Sequence, residues 1–148
     1  MGKGFKRPES VLVLVYTRGG EVLLMRRTRP ADFWQSVTGS LAWGEEPQAA
    51  ARRELFEETG LTVGADLLDC GVTNRFPIRP PWRARYDPGV HDNTEHVFRV
   101  VLPARRSVTL NPAEHSDYAW LPREAAAARA SSYTNRDAIL AFVPACPG

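Results

Sequence analysis

The segment from Pro47 to Gly60 constrains this chain more than any other, because it reads as a helix with concentrated negative charge on one face. Pro47 stands where a first-turn proline is tolerated, since its missing N–H would have no partner there anyway. Ala49, Ala50, Ala51, Arg52, Arg53 and Leu55 are good helix formers. Glu45 and Glu46 lie at the N-terminal end, where negative charge suits the helix dipole. Gly60 follows as a residue that can close the helix. Inside it Glu54, Glu57 and Glu58 stand at i, i+3 and i+4 and so share a face. Like charges at these spacings repel by roughly a few tenths of a kcal/mol per pair. Local conflicts of this kind tend to mark sites. A hard divalent cation resolves this one, because Mg²⁺ takes carboxylate oxygens together with waters and phosphate oxygens. A bare E-x-x-E-E is also compatible with a solvated acidic surface. Ala51 and Leu55 lie on the side that can pack on a sheet.

The neighbouring segments supply that sheet. Val11-Leu-Val-Leu-Val-Tyr16 is apolar throughout and reads as a buried strand. A turn at Arg18-Gly19-Gly20 leads to a second strand over Glu21–Met25, giving a hairpin. Phe33–Thr38 is a short extended piece that ends at Gly39, where a tight strand-to-loop turn is expected. Val63–Val72 suggests another strand. Residues 75–92 contain four prolines and read as a long irregular loop, a kind that is usually functional. Glu95–Leu102 and Tyr118–Leu121 read as strands, Arg123–Ala130 and Asn135–Val143 as helices. A single domain over residues 1–148 is expected, with a frayed tail at 144–148.

Composition limits the function classes. No run approaches the about 20 apolar residues that span a bilayer, and the first ten residues lack the apolar core of a signal peptide. The expectation is a cytoplasmic protein that uses no membrane, with Cys70 and Cys146 as reduced thiols. A net charge of +2 is too weak to argue for nucleic acid. Its distribution says more. Basic residues gather at 3–7, 26–29 and 75–85, and acidic ones at 45–58. A cationic rim around an acidic pocket suits a polyanion bound through a divalent metal.

The stretch Gly39–Leu61 resembles the box of the Nudix superfamily, G-x5-E-x7-R-E-U-x-E-E-x-G-U with U aliphatic. Gly39, Glu45, Arg53, Glu54, Leu55, Glu57, Glu58, Gly60 and Leu61 meet every fixed position. The resemblance implies an α/β fold, the Nudix α/β/α sandwich with a mixed β-sheet and a catalytic helix after the box loop. It also implies a Mg²⁺-dependent pyrophosphohydrolase, with Mn²⁺ as a substitute. Glu54 and Glu58 are then the direct metal ligands, Glu57 a ligand or a supporting group, and Arg53 the residue that orients Glu45. The general base often lies outside the box. Glu114, in the loop before Tyr118, is the first candidate as base, further metal ligand, or both. Glu95 and His115 are rivals.

Lys6-Arg7-Pro8, Asp32–Ser40, Arg85-Tyr86, Asn93-Thr94-Glu95 and Asn135-Arg136 are similar to one branch of that superfamily, the bacterial dihydroneopterin triphosphate pyrophosphatases. This similarity implies a small-molecule triphosphate substrate, no nucleic-acid partner and a monomer. Carried over by position, Lys6, Arg26 and Thr38 contact substrate. So do Phe76, Pro77, Ile78 and Arg79, with Ser132 and Asn135 beside the last helix. Lys6 and Arg26 suit phosphates, Thr38 and Asn135 suit the polar edge of a pterin, and Phe76 or Trp34 suits stacking. Residues 76–85 are richer in Pro and Arg than this branch's pattern. Two other readings stay open: a Nudix hydrolase of nucleoside triphosphates or dinucleoside polyphosphates, and a non-catalytic nucleotide sensor.

Overall fold

The computed structural model describes residues 4–145; Cys146 and the last residues of the tail lie outside the described residues. Seven strands run as β1 (Glu9–Thr17), β2 (Glu21–Arg27), β3 (Trp34–Gln35), β4 (Val37–Ser40), β5 (Leu67–Pro77), β6 (Asp92–Leu102) and β7 (His115–Pro122). Four helices accompany them: α1 (Pro47–Thr59), α2 (Pro80–Arg83), α3 (Arg123–Arg129) and α4 (Tyr133–Phe142). The sheet is mixed. β1 pairs parallel with β6 from Glu9↔Thr94 to Thr17↔Leu102, and every other pairing is antiparallel. β4 and β2 pair with β1, β3 and β7 with β2, and β5 lies outermost beyond β6.

β1 is apolar at each position from Val11 to Tyr16 because both of its faces are covered. Successive side chains alternate between faces. Val11, Val13 and Val15 pack with Ala50, Ala51 and Leu55 of α1. Leu12, Leu14 and Tyr16 pack with Ala126 and Ala127 of α3 and with Ala138 and Ile139 of α4. The result is the expected α/β/α sandwich. α1 ends as expected, with Gly60 at φ 75° and its N–H bonded to Phe56 O at 2.8 Å. Among the described residues no helix is long and apolar enough to cross a membrane.

The structure corrects the reading of residues 63–92. β5 starts later than expected, at Leu67, and runs through Arg75 and Phe76 to Pro77, pairing with β6 as far as Asp92. A proline is tolerated at the end of an outermost strand because no neighbour requires its N–H. The ladder shifts register between Asp69 and Val72, where Gly71 takes φ 71°. Within the remaining segment Pro80 and Pro81 open the short α2, as prolines can in a first turn. β6 begins at Asp92, so Glu95 sits inside the strand, opposite Ser10 of β1 and Asn74 of β5.

Candidate active site at one end of the sheet

The starts of β1 and β6 and the ends of β2 and β5 converge at one end of the sheet. A cavity of about 810 Å³ opens there. Its wall includes Ser10, Arg27, Thr38, Phe76 and Glu95 from strands, Glu54 and Glu58 from α1, and residues 132–136 from the start of α4. That volume suits a mononucleotide-sized ligand.

Two of the three clustered glutamates turn inward. Glu54 is 9% exposed and Glu58 3%, and both line the cavity. Glu57 does not line it; half-exposed, it pairs with Arg53 at 3.2 Å. The Glu54 carboxylate occupies the space a side chain at position 39 would need. A Cβ on Gly39 would lie 2.0 Å from Glu54 Cδ. Gly39 lies within β4 and has no left-handed φ, so its role is to clear room rather than to make the turn expected from the sequence.

Arg53 holds this arrangement in place. Its guanidinium donates to both oxygens of Glu45 at 2.9 Å, to Glu54 at 3.0 Å and to Ser40 O at 3.1 Å. The bidentate pair is the kind that fixes geometry as well as adding energy. Hydrogen bonds from Arg53 hold the Glu45 carboxyl down at about 2. Glu45 Oε1 also accepts the Ala42 N–H at 2.9 Å, which braces the loop before α1.

Inside the cavity the carboxylates shift the other way. Burial raises Glu54 to about 6, against the pull of Arg53, with Glu57 and Glu114 adding to the rise. Burial pushes Glu58 up to about 9, and the charges of Glu54 and Glu114 push further. Glu58 accepts the backbone N–H of Thr38, but its Oε1 is buried with no hydrogen-bond partner. A buried unsatisfied carboxylate oxygen is costly and calls for a ligand. Among the described residues no three acidic, histidine or cysteine side chains stand as a ready metal cluster. Mg²⁺ does not require one. It is usually held by one or two carboxylates plus waters and phosphate oxygens. Glu54 and Glu58 fit that need, and Glu114, which lines the same cavity, is the third carboxylate nearby.

The cationic residues that line the cavity are Lys6, Arg27, Arg79, Arg85 and Arg136. Burial lowers the Lys6 pKa, as does Arg85, while Glu54 and Glu114 oppose them. Arg26, expected here, points elsewhere and pairs with Asp32 at 2.6 Å and Asp117 at 3.7 Å. Its neighbour Arg27 reaches the cavity instead, beside a register shift between the two residues on β2. Thr38 and residues 76–79 line the cavity as expected. Ser132 lines it too, but its hydroxyl caps α4 by accepting the Asn135 N–H at 3.2 Å. Asn135 is 1% exposed and committed to Ser36, accepting its N–H at 2.8 Å and donating to its hydroxyl at 2.9 Å. It ties α4 to the β3–β4 link. Trp34 packs on the α3–α4 core with Arg129 over its ring at 5.2 Å, outside the cavity. The aromatic lining is Phe33, Phe76, Trp82, Tyr86 and Tyr133. Phe33 and Trp82 meet edge to face at 5.7 Å, and Lys6 lies 6.0 Å over Tyr86. The sequence reading missed Trp82, Arg27 and Asn93 as lining residues. Trp82 carried one signal, as the lone tryptophan in the proline-rich stretch.

The family model described as NUDIX domain matches residues 6–142. The chain belongs to the Nudix family. Among its relatives is the dihydroneopterin triphosphate diphosphatase of Escherichia coli (strain K12), 45% identical over 95% of this chain and 95% of that one. The enzyme of the same name from Haemophilus influenzae is 34% identical over 94% of this chain and 89% of its own. The solved structure of the E. coli dihydroneopterin triphosphate pyrophosphohydrolase superposes with a TM-score of 0.87 at 45% identity, over 94% of this chain and 97% of that one.

In this chain the Nudix box is one mechanical unit. Gly39 leaves space for Glu54, Arg53 clamps Glu45 and the loop, Leu55 anchors α1 in the core, and Gly60 ends the helix. Gly39, Glu45, Arg53, Leu55 and Gly60 together aim two carboxylates, Glu54 and Glu58, into one cavity.

Proposed function

We propose that this Nudix protein hydrolyses 7,8-dihydroneopterin 3′-triphosphate to the monophosphate and pyrophosphate, a step of folate synthesis, with Mg²⁺ held by Glu54 and Glu58. The observation that carries this reading is a buried carboxylate pair with an unpartnered oxygen, in a cavity also lined by cationic and aromatic side chains. Near-complete alignment with relatives of that name supports the substrate. A divalent cation there neutralises phosphate oxygens and makes bound water more acidic, and Mn²⁺ is expected to substitute.

The chain's own groups do the rest. Lys6, Arg27 and Arg85 line the cavity, and on this reading they bind the triphosphate and stabilise the charge that grows on the departing pyrophosphate. Glu114 takes the proton from the attacking water or completes the metal shell. Its carboxylate accepts from Asn111 Nδ2 at 3.5 Å, and its backbone carbonyl holds Thr28 N–H at 2.9 Å. Water supplies the oxygen, the bond between the α- and β-phosphates breaks, and pyrophosphate leaves.

The test is a panel with Mg²⁺: dihydroneopterin triphosphate, dATP, 8-oxo-dGTP and Ap4A, each read as pyrophosphate or phosphate release. Dihydroneopterin triphosphate is expected to have the highest kcat/KM. A clear preference for a nucleotide moves the chain to the nucleoside triphosphate hydrolases, and background rates throughout favour the sensor reading. Glu58→Gln is expected to lower kcat by about 100-fold or more while the protein stays folded; a variant with near-normal kcat removes Glu58 from the metal site.

A further inference from the structure

Glu95 has no role in the chemistry above, yet it is a carboxylate 5% exposed in the wall of an anion-binding cavity. An ionisable group so buried is retained at a cost unless it is paired or used. Its partners are neutral. Asn74 Nδ2 donates to Oε1 at 3.2 Å, and Thr134 donates from the first turn of α4. Among the described residues no arginine, lysine or other cavity carboxylate bears on it. The charge of Glu114 bears on both Glu54 and Glu58, whereas Glu95 responds to burial and to these two donors. Glu54 and Glu58 thus enter the cavity from α1, whereas Glu95 enters it from β6, bonded to β5 and α4.

Next to Glu95 in β6 stands Asn93, also 5% exposed and also lining the cavity. Its Nδ2 donates to Ser10 Oγ at 2.7 Å, and its Oδ1 is buried without a partner. This part of the cavity wall thus has acceptor capacity to spare: a carboxylate and an amide oxygen. Such a surface selects a ligand edge that presents adjacent N–H donors and repels one that presents carbonyls. Phe76, paired with Asn93 across the β5–β6 ladder, lines the cavity beside it and offers a flat face to a ring.

We propose that Glu95, assisted by Asn93, is the specificity-determining residue that accepts the 2-amino and ring N–H donors of a 2-amino-4-oxo heterocycle bound in the cavity. A carboxylate facing an amino group and the neighbouring ring N–H forms two parallel charge-assisted bonds. A site built for such donors rejects an analogue that lacks them far more strongly than an apolar pocket rejects a shape change. The inference rests on the pterin reading of the substrate for its ligand, and its test separates the two.

The probes are pterin and lumazine, the same bicycle with a carbonyl in place of the 2-amino group. Each is titrated into wild-type protein and Glu95→Gln, with quenching of tryptophan fluorescence as the readout. Tripolyphosphate hydrolysis with Mg²⁺ is followed in parallel as a measure of the phosphate site. Wild type is expected to bind pterin about 100-fold more tightly than lumazine. Glu95→Gln is expected to lose most of that ratio, a larger change than any in tripolyphosphate turnover. Equal binding of the two bicycles by wild type overturns the proposal without any variant. So does no binding of either, a ratio preserved in Glu95→Gln, or a parallel loss of tripolyphosphate turnover. Failure of the substrate reading shows separately, as poor wild-type turnover of dihydroneopterin triphosphate.

Discussion

Gly39 is conspicuous in the sequence only as the start of a motif, but in three dimensions it is the space into which Glu54 folds. Adding one methyl there sets a carbon 2.0 Å from Glu54 Cδ, so the carboxylate has to move. The backbone at Gly39 is ordinary strand, which alanine adopts without strain. Gly39→Ala is therefore expected to keep its circular dichroism spectrum and lose about 100-fold in kcat, as a displacement near 1 Å typically costs. Unchanged kcat would mean that the position of Glu54 does not matter. Single residues were legible where a motif fixed their surroundings, as for Arg53 and Glu45. Arg26 and Arg27 show the limit. They are chemically identical neighbours, and which one reaches the cavity depends on the face each takes on β2, beside a register shift. Glu95 stood out only within Asn93-Thr94-Glu95 and as a rival base; its burial could not be read, because a lone charge in a strand looks the same whether it meets water or a buried pocket.

Elements were legible in proportion to their burial. β1 could be read because two helical layers demand apolar residues on both of its faces, and α1 because proline and glycine bracket it. β5 was misplaced because it is the outermost strand, mostly exposed and interrupted at Gly71, so no alternation marks its course. α4 carries a different kind of information. Its start forms part of the cavity wall and is held by Ser132, whose hydroxyl accepts the Asn135 N–H and bonds Thr134. Ser132→Ala is expected to lower stability by about 1 kcal/mol, as loss of a helix cap usually does. The drop is measurable as a lower urea midpoint, with faster hydrogen exchange at the Asn135 amide. Full protection of that amide in the variant would show that the cap is not what holds the helix start.

For the whole molecule, the shifted carboxylates pull stability in opposite directions with pH. Glu45 has its pKa lowered to about 2 by Arg53, so its contribution is present above the ordinary carboxylate value of 4.5 and fades as pH falls from there toward 2. Glu54 and Glu58 are raised, chiefly by burial, to about 6 and about 9. Each holds its proton in the fold at a pH where the unfolded chain has lost it, so stability falls as pH rises above 4.5. The metal-free protein is expected to be most stable near about pH 5. Denaturant midpoints taken with EDTA from pH 3 to pH 9 check this, and a flat or rising alkaline limb would contradict it. The parallel pairing of residues 9–17 with residues 94–102 also governs how the chain comes together. During synthesis the first strand emerges long before its partner does, with both oily faces and one edge uncovered. Much of its shelter becomes available only after Leu102 has left the ribosome, so for most of its time in production the nascent chain is at its most adhesive.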